Sequence, residues 1–226
     1  GGANGLEVLW FVCRDQNDAL ASALAPFVYQ PVDVDPATLD TLRLNGVRLV
    51  RVPLADFSTV RDTLRPVGPT ERSWLGWSLH WAEAFRARSL VDNAAVRLDG
   101  DAVVLGGAST RLLARAWGAH TIDGERVRVE LVTQIMSPLA ALATPFDPLG
   151  SAEPGATADY ELARGEVIEQ LAFEAQLEPG YAYFLVPAPP EEDWAALAER
   201  APDASDEGIA PPAPGFEFAD APQSDA

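Results

Sequence analysis

The chain has 226 residues, of which 48% are hydrophobic and 22% are charged, enough apolar material for one folded domain with a small appendage. Its 34 acidic side chains outnumber its 16 basic ones, giving a formal charge of −18; such a surplus repels phosphate backbones, so we expect no nucleic-acid partner. No apolar run reaches the roughly 18 residues of a transmembrane helix. All sixteen cations are arginine, which excludes lysine-based chemistry.

The first apolar run, Leu6–Arg14, is rich in aromatic and branched side chains. It predicts a central β-strand that is buried on both faces. The run contains the single cysteine, Cys13, so the chain forms no internal disulfide and no cysteine-based metal site. We expect this thiol to pack as a small apolar group. Helical spacing follows over residues 18–27, and residues 28–34 are expected to be extended.

Two helices and a strand are predicted next. Asp35 followed by Pro36 is typical of the start of a helix, and Asn45–Gly46 is typical of its end. Residues 47–52 alternate apolar side chains with arginine, which predicts a second strand. Helical spacing returns over residues 54–64.

Turn signals and tryptophans dominate the middle of the chain. Glycine and proline predict a loop at residues 66–69. Residues 74–81 are interpreted as a tryptophan-rich strand, although their spacing also fits a helical stripe. An Asp-Gly-Asp turn between residues 94–98 and 102–105 is the strongest hairpin signal in the sequence.

The remaining patterns predict more antiparallel strands. Residues 110–122 and 126–135 flank an Asp-Gly pair, and the second run alternates polar and apolar side chains. Residues 137–157, rich in proline and glycine, are interpreted as a long surface connection. Residues 160–176 and 181–186 are predicted strands around a Pro-Gly turn.

We therefore predict an α+β fold: mainly antiparallel β-sheet with an early strand pair and two or three short helices. In chain order we expect a flexible lead (1–5), a single α+β domain (6–187), a short helix (188–200) and a disordered acidic tail (201–226). Proline, alanine, serine and acidic residues dominate this tail. Such a composition buries too little apolar area to offset the entropy of ordering the chain.

Four tryptophans are the candidate binding residues: Trp74, Trp77, Trp81 and Trp117. Large rings in a strand-rich region usually fill a core. Otherwise they line a groove that stacks on a sugar or on an apolar peptide.

The sequence shows no catalytic or metal-binding motif of useful specificity. His80 and His120 are the only histidines and lack the spacing of a known metal motif. Asp33 and Asp35 form a D-x-D pattern, but Asp35 precedes a proline as a helix cap does. We predict no catalytic residue, no metal ligand and no cofactor.

Three segments carry a family resemblance: VDPATLDTLRLNGVRLVRV (34–52), GERVRVELVTQI (124–135) and LEPGYAYFLVP (177–187). In their order the chain resembles lipoprotein-like exported proteins of the bacterial cell envelope. The last two segments are also similar to the closing strands of secretin-type outer-membrane assemblies, although the chain lacks the repeated membrane-ring strands of secretins. The resemblance supplies no catalytic residue, and it implies a periplasmic or outer-envelope location.

The start of the chain fits this location. The small residues 1–5 are typical of a mature exported protein trimmed after a lipid-modified cysteine, and also of a remnant of recombinant expression. A periplasmic or outer-envelope protein is therefore expected, with a lipid anchor as one form of it and a cytoplasmic protein as the alternative.

Our first functional hypothesis is a non-enzymatic structural or protein-interaction module that docks onto an envelope protein partner; its oligomeric state is left open. The alternatives are a hydrolase of an envelope polymer and a carbohydrate-binding module. A hydrolase would use His80 and His120 in a groove walled by Trp77 and Trp81, with a carboxylate or serine within hydrogen-bond reach. A carbohydrate-binding module would need coplanar, exposed tryptophans on one sheet face.

Overall fold

A computed structural model describes residues 5–14, 18–86, 94–105, 108–122, 124–136 and 165–200. The strands in these residues are β1 (Leu6–Val12), β2 (Val47–Pro53), β3 (Val67–Gly76), β4 (Ser78–Arg86), β5 (Ala94–Leu98), β6 (Asp101–Leu105), β7 (Ser109–Thr121), β8 (Gly124–Met136), β9 (Glu166–Leu177) and β10 (Tyr181–Pro187). The α-helices are α1 (Ala19–Leu24), α2 (Pro36–Leu44), α3 (Leu54–Leu64) and α4 (Trp194–Arg200). The predicted α+β class is confirmed. The predicted connection at 137–157 and the acidic tail lie outside the described residues.

Every strand pairing among the described residues is antiparallel. A four-stranded sheet has the order β4-β7-β8-β9, and β5 pairs with β6 in a separate hairpin. Two further strand pairs combine distant parts of the chain: β1 with β3, and β2 with β10. The early strand pair predicted between β1 and β2 is therefore wrong, because each of these strands finds its partner elsewhere.

Local sequence signals explain the ends of several elements. The Asp35 carboxylate accepts a hydrogen bond from the Thr38 backbone N–H at 3.3 Å, which caps α2 as predicted. Asp99 and Gly100 both have positive φ, 53° and 88°, the conformation that a tight hairpin turn requires. The β5–β6 hairpin is thus confirmed.

β1 is not the central, doubly buried strand that its composition predicts. Within the described residues it pairs only with β3, and its side chains are partly buried or, at Val12, exposed. Phe11 reaches the nearest core cluster, and Trp10 packs edge-on against Phe85 of β4 with ring centroids 4.8 Å apart. The strand lies at the margin of the fold, so its apolar side chains are only partly covered.

The chain between residues 66 and 86 also differs from the prediction. The expected loop at 66–69 belongs to β3, where a bulge against β1 spans Gly68 and Pro69. An edge strand tolerates this proline because no ladder hydrogen bond needs its missing N–H. The single strand predicted at 74–81 is divided between β3 and β4, since Gly76 turns the chain with φ +58°. Residues 28–34, expected to be extended, contain mainly turns and one isolated bridge at Asp33.

The β2/β10 pair lies in the middle of the fold. One face carries Val50, Val52 and Phe184, which form the first core cluster with residues of α1, α3 and α4. The opposite face carries Leu49 and Leu185, which pack into a second cluster with α2 and β9. This pair therefore separates the helices from the four-stranded sheet.

The helix that the sequence sets apart at 188–200 joins the first cluster. Trp194 of α4 is almost completely buried there. A third cluster of Trp81, Leu113 and Val132 lies on the face of the four-stranded sheet that points away from β2 and β10. The protein thus buries apolar side chains in three successive layers.

Candidate functional site

The four candidate tryptophans divide into two groups. Trp74 and Trp77 are each 51% exposed, whereas Trp81 is only 8% exposed and belongs to the third core cluster. Trp117 is partly buried in β7. The sequence left core filling and a binding groove open for all four, and only Trp74 and Trp77 present a half-open ring.

Arginines cover the rings of Trp81 and Trp117. The Arg115 guanidinium lies 4.8 Å from the ring centroid of Trp81 and 5.7 Å from that of Trp117. Arg128 lies 5.4 Å from the Trp117 ring and is held by an ion pair with Glu174 at 2.5 Å. These faces already engage cations, so neither ring is a free stacking platform.

The exposed side chains Trp74, Trp77 and Leu79, which we call the aromatic corner, lie within six residues around the junction of β3 and β4. Leu79 is 65% exposed. The ring of Trp77 lies directly over Gly118 of β7, where an added Cβ would overlap its benzo ring. Trp77 is therefore supported from below by backbone while half of its surface faces solvent.

The sequence contained a signal for part of this arrangement. Gly118 interrupts an otherwise regular strand, and a glycine inside a strand often marks the close approach of another group. We identified Trp74 and Trp77 as candidates but did not identify Leu79 or the glycine beneath the ring. No local sequence pattern predicts which tryptophan is exposed. Trp81 follows Trp77 by four residues, as Trp77 follows Trp74 by three, yet Trp81 is buried.

Neither histidine takes part in a catalytic arrangement within the described residues. His80 and His120 are both exposed, and their rings make no hydrogen bond or ion pair with any residue in this part of the chain. The nearby Ser78 hydroxyl donates instead to the backbone carbonyl of His80, at 2.8 Å. The groove expected for a hydrolase is not assembled here.

The described ranges contain no group of three or more His, Cys, Asp or Glu side chains able to hold a metal ion. The two carboxylates of the D-x-D pattern do not form a common site. Asp35 caps α2, and Asp33 is exposed while its backbone carbonyl accepts a hydrogen bond from Gln176 at 3.1 Å.

A second candidate site, which we call the arginine cleft, is concave and lies between β2 and the ends of β8 and β9. Arg51 and Arg126 converge on Glu178, with N–O distances of 2.5 Å and 3.1 Å to different carboxylate oxygens. The Tyr183 hydroxyl accepts a hydrogen bond from the Glu178 backbone N–H at 2.9 Å. Burial raises the pKa of Tyr183, so the phenol keeps its proton. The cleft is lined by Pro31, Val32, Asp33, Arg51, Arg126, Gln176, Glu178 and Tyr183.

No sequence pattern predicted this cleft. Arg51 and Arg126 both occupy alternating strand patterns that are typical of a solvent-facing side. Their partner Glu178 follows β9, so the cluster forms only when β2 pairs with β10 and β8 pairs with β9. No local pattern encodes that meeting.

A third polar group belongs to the interior of the sheet. The side chain of Arg111 is fully buried; its Nε donates to Gln134 Oε1 at 2.9 Å and its NH1 lies 3.4 Å from the Glu83 carboxylate. Burial alone would raise the pKa of Glu83, but hydrogen bonds and charge from Arg86 and Arg111 lower it overall. This cluster keeps a buried arginine paired with the carboxylate of Glu83.

No protein-family model matches the chain, and the comparisons with curated proteins and with solved structures also found no match. Among the described residues no helix has the length and apolarity needed to cross a bilayer, the longest being α3 with eleven residues. The aromatic corner and the arginine cleft are therefore the candidate functional sites of the described residues.

Proposed function

We propose that the protein is a non-enzymatic interaction module that docks a protein partner of the bacterial envelope through the aromatic corner. The observation that carries the proposal is the exposure of Trp74, Trp77 and Leu79, each at least half open to solvent within six residues. Tryptophan is enriched at protein interfaces and among the residues that dominate binding energy.

The support beneath Trp77 strengthens this reading. Because the ring rests on the backbone of Gly118, it has little freedom to lose when a partner covers it. Ordering a free side chain at an interface costs about 0.5–1.5 kcal/mol, and a ring held in place avoids part of that cost. Trp81 offers no comparable surface, since it is buried.

The envelope part of the proposal comes from the sequence. The three resembling segments favour a periplasmic or outer-envelope protein, including a lipid-anchored form. The partner would then be another envelope protein, contacting the aromatic corner with an apolar surface of its own.

Site-specific photocrosslinking tests the proposal in cells that contain the full chain. A photoreactive phenylalanine at position 79 should give a discrete adduct, whereas the same group at position 122 should not. Ile122 is a matched control because it is an apolar side chain fully exposed on the β7–β8 turn and is not part of the aromatic corner. Mass spectrometry of the adduct identifies the partner.

The identified partner, once purified, gives the quantitative test. Trp74→Ser combined with Trp77→Ser should weaken its binding about tenfold or more, and Ile122→Ser should change it by less than about twofold. Adducts of equal yield from positions 79 and 122, or equal affinity of the two variants, would show that the aromatic corner is not the docking surface. An adduct between two copies of the chain would contradict the envelope partner and show that the aromatic corner mediates self-association.

A carbohydrate-binding module is the second candidate, because Trp74 and Trp77 are half exposed and sugars stack on tryptophan rings. Titration of tryptophan fluorescence with peptidoglycan fragments and with cellohexaose separates the two functions. A saturable change that disappears in Trp74→Ser and persists in Ile122→Ser would favour the sugar. An unchanged spectrum together with a position-79 adduct would favour the protein partner.

A further inference from the structure

The arginine cleft has no part in the function proposed above, and we propose that it binds a small monoanionic carboxylate. The ligand's carboxylate would occupy the space in front of Arg126, Tyr183 and Gln176. It would be either a free organic acid or the C-terminal carboxylate of a peptide, since both present the same group.

The cleft holds more hydrogen-bond donors than its own acceptors use. An arginine carries five N–H donors, and Arg126 makes one ion-pair contact, with Glu178, among the described residues. Arg51 donates to Glu178 and to the Pro31 carbonyl, and its buried Nε makes no hydrogen bond with a described residue. The Tyr183 hydroxyl accepts one hydrogen bond and donates none to a described residue. Unused donors of this kind favour an oxyanion.

The charge of the cleft sets the charge of the ligand. Two guanidiniums, with side chains only 13% and 18% exposed, share the single carboxylate of Glu178. Asp33 at the rim is exposed, and it brings the total back towards neutrality. A monoanion meets the positive inner part, whereas a phosphate dianion would meet more repulsion from the two nearby carboxylates.

Size and wall chemistry limit the rest of the ligand. The cleft encloses about 290 Å³, at the lower limit of the size of ligand pockets. Pro31 and Val32 give one apolar wall. A short aliphatic acid, or the last residue of a peptide, fits both limits.

The cations are held in place before any ligand arrives. The Arg51 guanidinium stacks 3.5 Å from the ring centroid of Tyr181 and donates to the Pro31 carbonyl at 3.1 Å. A donor set of fixed geometry binds with less entropic cost than flexible surface side chains.

The test is an NMR titration of the full chain with sodium propionate at constant ionic strength, following the arginine Nε–Hε signals. We expect saturable shifts of the Arg51 and Arg126 signals. Arg126→Gln should weaken propionate about tenfold or more, because a charge-assisted hydrogen bond is lost. Glu178→Gln should act in the opposite direction and tighten propionate about threefold or more, because it frees both guanidiniums.

The matched control is Arg61→Gln, which removes an arginine paired with Asp62 at 3.1 Å on the surface of α3; it should leave the affinity unchanged. Circular dichroism confirms that each variant is folded. If Arg126→Gln or Glu178→Gln fails to fold, Tyr183→Phe serves instead and should weaken propionate severalfold. A purely structural role of the cluster predicts destabilised variants but no tighter binding by Glu178→Gln.

Two peptides distinguish the sources of the carboxylate. A tripeptide with a free C-terminus that binds more tightly than propionate, while its C-terminal amide does not bind, assigns the cleft to a chain terminus. Propionate binding as tight as that of the tripeptide, or tighter, assigns it to a free acid. Shifts that do not saturate with any of these probes, or equal propionate affinity in wild type, Arg126→Gln and Glu178→Gln, would overturn the proposal.

Discussion

The two strand pairs that join distant parts of the chain, β2/β10 and β1/β3, have the same antiparallel pattern and opposite surroundings. β1, with the sequence LEVLWFV, carries fewer charges than β2, with the sequence VRLVRVP. Yet β2 lies between two core clusters, and β1 is only partly covered. Apolar composition therefore does not decide which strand is central.

The elements that pack on the two faces of a strand pair decide whether it is central. Helices α1, α3 and α4 cover one face of β2/β10, and α2 with β9 covers the other. The two arginines of β2 are accommodated by aromatic rings and oxygen acceptors: Arg48 stacks 4.9 Å from the Trp194 ring and donates to the Glu192 carbonyl, and Arg51 stacks on Tyr181. In β3 the corresponding cation, Arg72, is largely exposed beside Glu7.

The largest contrast is expected between two tryptophans. Trp194→Ala should lower the free energy of unfolding by about 3–5 kcal/mol, because it opens a cavity in the first cluster. Trp74→Ala, within β3 of the weakly covered β1/β3 pair, should change it by about 0.5 kcal/mol or less. Urea denaturation measures both. Equal losses would mean that the two regions are equally important for stability.

A matched pair of valines sharpens the comparison, since both lie in strands and undergo the same chemical change. Val52→Ala in β2 removes two fully buried methyl groups and should cost about 1.5–3 kcal/mol. Val12→Ala in β1 removes exposed methyl groups and should cost less than about 0.5 kcal/mol. Chemical denaturation of the two variants side by side gives the difference. A loss above 1 kcal/mol for Val12→Ala would require a covering surface that the described residues do not show.

The comparison also explains how far the sequence predicts the fold. Elements fixed by neighbouring residues were predicted correctly: α2 from Asp35 and Pro36, and the β5–β6 hairpin from Asp99 and Gly100. The pairing of β2 with β10 joins segments about 130 residues apart, and no turn or spacing encodes it. The position of β1 depends on that pairing, because β10 takes the place beside β2 that we expected β1 to fill.

The candidate sites show the same limit. Tryptophan content indicated where large rings are, and two of the four rings are open. Trp81 is closed by its burial in the third core cluster, and Trp117 is covered by Arg115 and Arg128 of neighbouring strand positions. The arginine cleft depends on three strands that meet only in the folded chain, so its charges resembled a solvent-facing pattern.

The ion pairs of the two regions provide a smaller test. Arg51→Gln should lower the free energy of unfolding by about 1.5 kcal/mol, at the low end for a charged hydrogen bond because Glu178 keeps Arg126. Arg72→Gln should produce no measurable change, because solvent screens its exposed pair with Glu7. Thermal unfolding at low and high salt checks both. A salt-sensitive loss for Arg72→Gln that matches Arg51→Gln would contradict the contrast.

The smallest expected effect depends on pH and extends the contrast to the four-stranded sheet. Glu83 pairs with the buried Arg111, and the net effect of its arginine partners is a pKa below the usual carboxyl range. A lowered folded-state pKa contributes stability that is complete above the unfolded pKa and is lost as the pH falls through the folded value.

Near pH 7, wild type should therefore exceed Glu83→Gln by about 1 kcal/mol, a figure reduced because the carboxylate is partly exposed. The gap should stay constant down to about pH 5 and shrink below the ordinary glutamate pKa of about 4.3, because the wild-type carboxylate becomes neutral while glutamine does not titrate. Urea denaturation at a series of pH values measures it. A gap that is unchanged or larger in acid would show that Arg111 is held by its amide and backbone neighbours and not by the charge of Glu83. In that case even the covered sheet would resemble β1/β3, where ion pairs accompany the fold without stabilising it.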